Sequence, residues 1–272
     1  MNIFNIKSKE LYLVIILIVM FFGISAATIT GSAVRDAIFL VKFEKDFLPL
    51  MYVIIAAVMT FVIEIYKRIS INKSPSSFFM LSGGFFIASL FAFHQNLSGP
   101  MVPLLYIWVE VITIIIALQF WMLASELLNA RQAKRIFPII IAGGSFAAIG
   151  SGYLIKPFVK HYGSDNLLLP TMGFLALSIF ASHLLKEYIP KEINRKPTIN
   201  GIKRGKNHKL EPYLKHIAIM IACSAFISRL TDYQFKVMAS NAFPLQNELV
   251  SFFGTYYMFT GAATLLMQSI IT

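Results

Sequence analysis

The sequence predicts an all-α, polytopic membrane protein, and three observations carry that reading. Of the 272 residues 57% are hydrophobic, and the mean hydropathy is +0.70. The apolar residues also gather into runs of about 20, the length that crosses a hydrocarbon core of about 30 Å at 1.5 Å per residue. Only 14% of residues are charged, and a soluble domain of this size has too little interior to hide so much apolar surface. The net charge of +11 would suit nucleic acid, but its placement along the chain follows membrane topology instead. Cys223 is the only cysteine, so an intrachain disulfide is excluded.

Eight spans are predicted. Segment one, 11–34, follows Lys7 and Lys9 and has the outline of a signal peptide. Its apolar run is long enough to span and more spans follow, so it reads as an uncleaved first helix. Segment two, 47–66, has Pro49 in its first turn, where a missing N–H costs little. Segment three, 78–94, stops at the turn Asn96-Leu97-Ser98-Gly99-Pro100. Segments four, five and six cover 102–127, 136–158 and 167–185. A polar, basic linker, 186–212, separates them from segment seven, 213–239, and segment eight, from about 248 to 272. Pro190, Pro197 and Gly201 argue against a stable helix in the linker, which reads as a solvated strip favouring anionic headgroups.

Lysine and arginine placement sets the orientation. The outer connections hold only Arg35, Lys42, Lys45, Lys156 and Lys160. The inner ones hold Lys7 and Lys9, then Lys67, Arg68 and Lys73, then Arg131, Lys134 and Arg135, and the whole run from Lys186 to Lys215. This asymmetry predicts a cytoplasmic N-terminus.

Charges inside spans are costly and point to function. Arg229, Asp232 and Lys236 share one face of segment seven at i, i+3 and i+7, which suggests a polar path through the protein. Arg229 and Asp232 can neutralise each other locally, and Lys236, nearer the outer end, can snorkel to the headgroups. Arg35 and Asp36 lie at the outer end of segment one, an interfacial position. Glu110 lies in the outer half of segment four with no cation nearby in sequence. It is expected to face the bundle interior, to pair with a cation such as Arg229, or to be protonated. Gln119, half a turn round the same helix, is not expected to share its site. Pairs across the bundle, Arg35–Asp232 or Asp36–Arg229, would close an outer mouth in one state and break in another.

Small residues mark packing faces: Gly23, Ala27 and Gly31 in segment one, Gly144, Ala148 and Gly152 in segment five. Trp108 and Trp121 read as lipid or interface aromatics. Signals of enzymatic chemistry are absent. His94, His161, His183, His208 and His216 have no metal-ligand spacing, and there is neither a phosphate-binding P-loop nor GxGxxG. No cofactor or metal is expected.

Asp36-Ala37-Ile38-Phe39 recurs as Asp232-Tyr233-Gln234-Phe235, an offset of 196 that also sets Phe47 on Phe243. Segment seven is thereby the counterpart of segment one. Six spans, a basic inner loop and two more spans resemble the first half, linker and opening of the second half of a major-facilitator-type transporter. The domains expected are 1–185, a six-helix half; 186–212, a cytoplasmic linker; and 213–272, the start of a second half. A full repeat would end near about 390–400 residues by this logic, so the chain is expected to be an N-terminal portion.

Several strings together resemble the non-mitochondrial ATP:ADP antiporter family and its bacterial relatives. They are Arg35-Asp36-Ala37-Ile38-Phe39-Leu40 with Leu48-Pro49; Phe120-Trp121 with Lys134-Arg135-Ile136-Phe137-Pro138 and Gly143-Gly144; and Asp232-Tyr233-Gln234-Phe235-Lys236. The resemblance implies a major-facilitator-like fold and exchange of nucleotides across a membrane, with lipid and an anionic small molecule as partners. Nucleotide carriers need basic residues in the cavity. Segment one has no Lys or Arg where such transporters commonly place one, which leaves Arg35, Arg229 and Lys236, with Lys134 and Arg135 at the inner mouth. Two other functions fit the same pattern: a proton-coupled carrier of another solute, and a membrane scaffold that transports nothing.

Overall fold

A computed structural model describes residues 10–70, 74–97, 99–185 and 212–271. Among them are eight long helices and no strand: α1 (Leu11–Lys42), α2 (Leu48–Ser70), α3 (Pro75–Gln95), α4 (Met101–Leu127), α5 (Ala130–Tyr162), α6 (Leu168–Leu184), α7 (Pro212–Ala242) and α8 (Gln246–Ile271). Each is long and apolar enough to cross a membrane. The predicted basic linker lies outside the described residues except for its last position. Outer and inner take their sense from the lysine and arginine asymmetry.

Two helices differ from their predicted spans in ways that matter. The first span was expected to end at 34, but α1 runs on to Lys42. Apolar Ala37, Ile38, Phe39 and Leu40 resume beyond the charged pair and are buried, so helix and burial both continue through it. Helix α5 starts at Ala130, well before the predicted 136. Asn129 and Gln132 form a reciprocal capping box there: the Asn129 side chain accepts from Gln132 N, and the Gln132 side chain accepts from Asn129 N. Two orphan backbone donors are satisfied at once, and the helix can begin in the polar inner region. Its outer end turns at Gly163, whose φ of 81° suits a residue without Cβ.

Helix α1 is the axis of the assembly. Every residue from Ile29 to Leu40 is buried, the pattern of a helix enclosed on all sides, and it packs on α4, α5, α6, α7 and α8. Small residues let its neighbours approach closely. A Cβ on Gly23 would meet Ser178 Oγ of α6 at 2.4 Å, and one on Gly144 of α5 would meet Phe21 of α1 at 2.5 Å.

The stripe Gly144, Ala148 and Gly152 does pack helices, and part of it faces α8. A Cβ on Gly152 would lie 2.5 Å from Gly254 O, and one on Gly261 would lie 2.7 Å from Ala148 Cβ. Helices α5 and α8 therefore meet backbone to backbone, as small residues permit. Helix α7 behaves differently. Residues 218–231 are all exposed, and its contacts with the bundle lie towards the outer end, where Lys236, Ala239 and Ser240 are buried. There too, Lys45 Nζ donates to Asn241 Oδ1, joining two positions separated by the repeat offset of 196.

Candidate functional site

The outer half of the bundle holds a closed network of charges drawn from three helices. Arg35 and Asp36 come from α1, Glu110 from α4, and Arg229, Asp232 and Lys236 from α7. Arg35 Nε lies 3.1 Å from Asp36 Oδ1, and its Nη1 bonds Glu110 Oε2. The other oxygen of Glu110 accepts from Arg229 Nη2 at 3.1 Å. Lys236 Nζ sits 3.2 Å from Asp36 Oδ2 and 2.8 Å from Asp232 Oδ2. Three cations and three carboxylates are thereby chained together with no net charge. Burying such groups is costly unless each is paired and hydrogen-bonded, and the chain of contacts meets that condition.

Two tyrosines complete the site, and the sequence reading missed both. Tyr52 of α2 donates its hydroxyl to Asp232 Oδ2 at 2.7 Å. Tyr106 of α4, fully buried, accepts from Lys236 Nζ at 3.3 Å. Their rings also face the cations: the Arg35 guanidinium lies 4.9 Å from the Tyr106 centroid and that of Arg229 5.6 Å from Tyr52. Such contacts strengthen in a desolvated site. The one available signal was the i, i+4 spacing of Tyr106 and Glu110, which sets both on one helix face; nothing local points to Tyr52.

All six predicted residues come together; Glu110 pairs with Arg229 as expected, whereas the other partners differ from those expected. Arg229 does not neutralise itself on Asp232: it reaches across to Glu110, and Asp232 pairs with Lys236. Lys236 does not snorkel. Its side chain is 6% exposed and held by two carboxylates, because the outer end of α7 is covered by α1 and α2 rather than by headgroups. Arg35 and Asp36 are not interfacial either, since α1 carries on past them for about two turns. The cross-bundle pairs are Glu110–Arg229 and Asp36–Lys236 in place of Arg35–Asp232 and Asp36–Arg229. Helix rotation places Glu110 between the two guanidinium groups, facing the bundle interior.

Exposure divides the cations. The Arg229 side chain is 50% exposed, whereas those of Arg35 and Lys236 are each 6% exposed. Arg229 is thus the least enclosed of the three cations. At the inner end, Arg135 bonds Glu10, which also accepts from Gln132 Nε2 at 2.9 Å; Lys134 is exposed. Gln119 stands apart from the network and accepts from Ser82 Oγ at 2.8 Å. Trp108 donates to Ser89 Oγ at 2.7 Å, and Trp121 packs on Phe21, Phe120 and Phe137. An open groove of about 790 Å³ between the outer ends of α5 and α8, lined by Lys156, Lys160, Phe243 and Phe252, includes none of the six charged residues. Among the described residues no group of three or more His, Cys, Asp or Glu side chains is placed to hold a metal ion.

Eight long apolar helices with paired charges buried between them define a multi-pass integral membrane protein. The chain is a distant homologue of the ADP,ATP carrier proteins. It is 24% identical to ADP,ATP carrier protein 5 of Rickettsia typhi over 259 residues, 84% of this chain and 51% of that one. Chloroplastic ADP,ATP carrier protein 2 of Arabidopsis thaliana is 24% identical over 173 residues, 57% of this chain and 28% of that protein. ADP,ATP carrier protein 1 of Chlamydia muridarum is 22% identical over 182 residues, 58% of this chain and 34% of its own. These relatives are carriers, not enzymes, and the chain spans from about a quarter to a half of their length. No family model and no solved structure matches it.

Proposed function

We propose that the chain is part of a secondary transporter that exchanges anionic solutes of the ATP and ADP kind by alternating access. Helices α1–α6 form one half, and α7 and α8 open a second half of the same design. The N-terminus and the basic linker lie on the cytoplasmic side, in bacteria the inner face of the inner membrane.

The observation that carries this reading is the pairing of Glu110 with Arg229 and of Asp36 with Lys236, which ties α7 to α4 and α1 at the outer end. Ion pairs that join α7 to the first six helices at the outer end are the geometry of a carrier closed on that side. Arg229 would make first contact with a phosphate, Arg35 and Lys236 would hold the outer closure with Asp36, Glu110 and Asp232, and Tyr52 and Tyr106 would shape the site. The Lys45–Asn241 bond supports the two-half design, because residues equivalent through a two-fold meet one another only near its axis. That the relatives are ADP,ATP carriers supports a nucleotide as the anion.

Counterflow of labelled ADP against ATP in intact bacterial cells expressing the whole reading frame tests the proposal. Uptake is expected to be competed by unlabelled nucleotide and lost in Arg229→Ala. No uptake by a well-inserted protein would refute the nucleotide assignment.

A further inference from the structure

Each side of the ion network is out of balance by one charge, in opposite senses. On α1 and α4 a single cation, Arg35, faces two carboxylates, Asp36 and Glu110. On α7 two cations, Arg229 and Lys236, face one carboxylate, Asp232. The sum reaches zero only while α7 rests against α1 and α4. When α7 moves away, Arg35 keeps both of its carboxylates and Lys236 keeps Asp232. Arg229 is the exception: among the described residues its one ion pair is with Glu110, across the gap, and its ring contact, with Tyr52, is across the gap too. The excess positive charge of α7 therefore falls on the one cation of the three that is half exposed.

We infer that this outer contact is an electrostatic latch and that a bound anion releases it, an inference resting on the anion-exchange reading above. A phosphate or carboxylate group seated on Arg229 supplies the negative charge that Glu110 supplies in the closed state. It neutralises α7 and lets that helix part from α1 and α4 without stranding a charge. Glu110 is the built-in stand-in for the solute. It loses nothing essential on release, because Arg35 still holds its other oxygen. An empty carrier then stays shut on the outside, and each crossing needs an anion aboard, which is the behaviour of an exchanger and not of a uniporter.

The test reads the latch directly, in membranes containing the full-length protein with its native cysteines, Cys223 among them, replaced by serine. Lys45→Cys and Asn241→Cys place two thiols across the outer contact, and the rate of bridging by a short bis-maleimide reports closure. Glu110→Gln removes the excess negative charge on one side and Arg229→Gln the excess positive charge on the other. Each is expected to slow ligand-free bridging by about five- to tenfold, the range of ordinary coupling between sites. ADP or inorganic phosphate, as probes, should slow bridging of the parent similarly and have little further effect in Arg229→Gln. Slowing by inorganic phosphate but not by ADP would uphold the latch and retire the nucleotide. Parent-rate bridging in both variants, or no effect of either anion on the parent, would overturn the inference. Should Glu110→Gln insert poorly, Arg229→Gln, at a half-exposed position, decides alone.

Discussion

Lys236→Met keeps most of the side-chain volume and removes one buried positive charge, so it isolates what that charge does. The Lys236 side chain is 6% exposed, with Asp36 Oδ2 at 3.2 Å and Asp232 Oδ2 at 2.8 Å. Its loss leaves two carboxylates short of a partner, neither of them bare. Asp36 keeps Arg35 at 3.1 Å and Asp232 keeps the Tyr52 hydroxyl at 2.7 Å. Breaking a buried pair by removing one partner costs about 3–5 kcal/mol; with those residual contacts the lower end, about 3 kcal/mol, is expected. Arg229→Gln provides the contrast. That side chain is 50% exposed and Glu110 retains Arg35, so the cost should stay under about 1 kcal/mol, as for a screened pair. Thermal denaturation of detergent-solubilised protein, followed by the remaining monodisperse fraction, would rank the two. Adding Asp36→Asn to Lys236→Met should recover part of the loss, with a coupling of about 1 kcal/mol or more in the double-mutant cycle. A Lys236→Met midpoint no lower than that of Arg229→Gln, or a cycle with no coupling, would refute the buried pairing.

Two further substitutions probe the packing that holds the site in place. Gly152→Val would set a Cβ 2.5 Å from Gly254 O and 2.8 Å from Met258 N, backbone atoms that cannot swing aside. A loss of about 1–3 kcal/mol is expected from that overpacking. Gly150→Val, with nothing within 4 Å of its Cβ, should stay within about 0.5 kcal/mol in the same melt. Gln119 Nε2 is buried without a hydrogen-bond partner, and Ser82, which donates to its Oε1, can fall back on Phe78 O. Gln119→Leu is therefore expected to leave the midpoint unchanged or raise it, and a drop worth more than about 1 kcal/mol would show that the amide has a partner.

How far the site was legible depended on how local each signal is. Glu110 stood out in the sequence because a carboxylate within an apolar span is costly wherever the helix lies. Arg229, Asp232 and Lys236 stood out because helical spacing alone sets them on one stripe. Arg35 was legible as a residue but not in its setting, since the apolar run of segment one is interrupted where the helix is not. Tyr52 was invisible, because a tyrosine near a helix end is unremarkable until its hydroxyl meets Asp232, 180 residues away. Asn129 and Gln132 carry a capping signal, which sets the start of α5 earlier than the apolar run alone does.

By itself the sequence determined what sums locally: eight spans, their alternation, the expected orientation, and the presence of charges that lipid will not tolerate unpaired. Apolar run length and lysine asymmetry act on each segment separately, so they survive without knowledge of neighbours. Only the tertiary structure decided who pairs with whom. Arg35 meets Glu110 across 75 residues and Arg229 meets Glu110 across 119, contacts set by helix rotation and by how closely small residues let helices approach. Helix periodicity leaves a charged stripe free to face any neighbour. In this protein the packing of α1 against α4 and α7 made that choice.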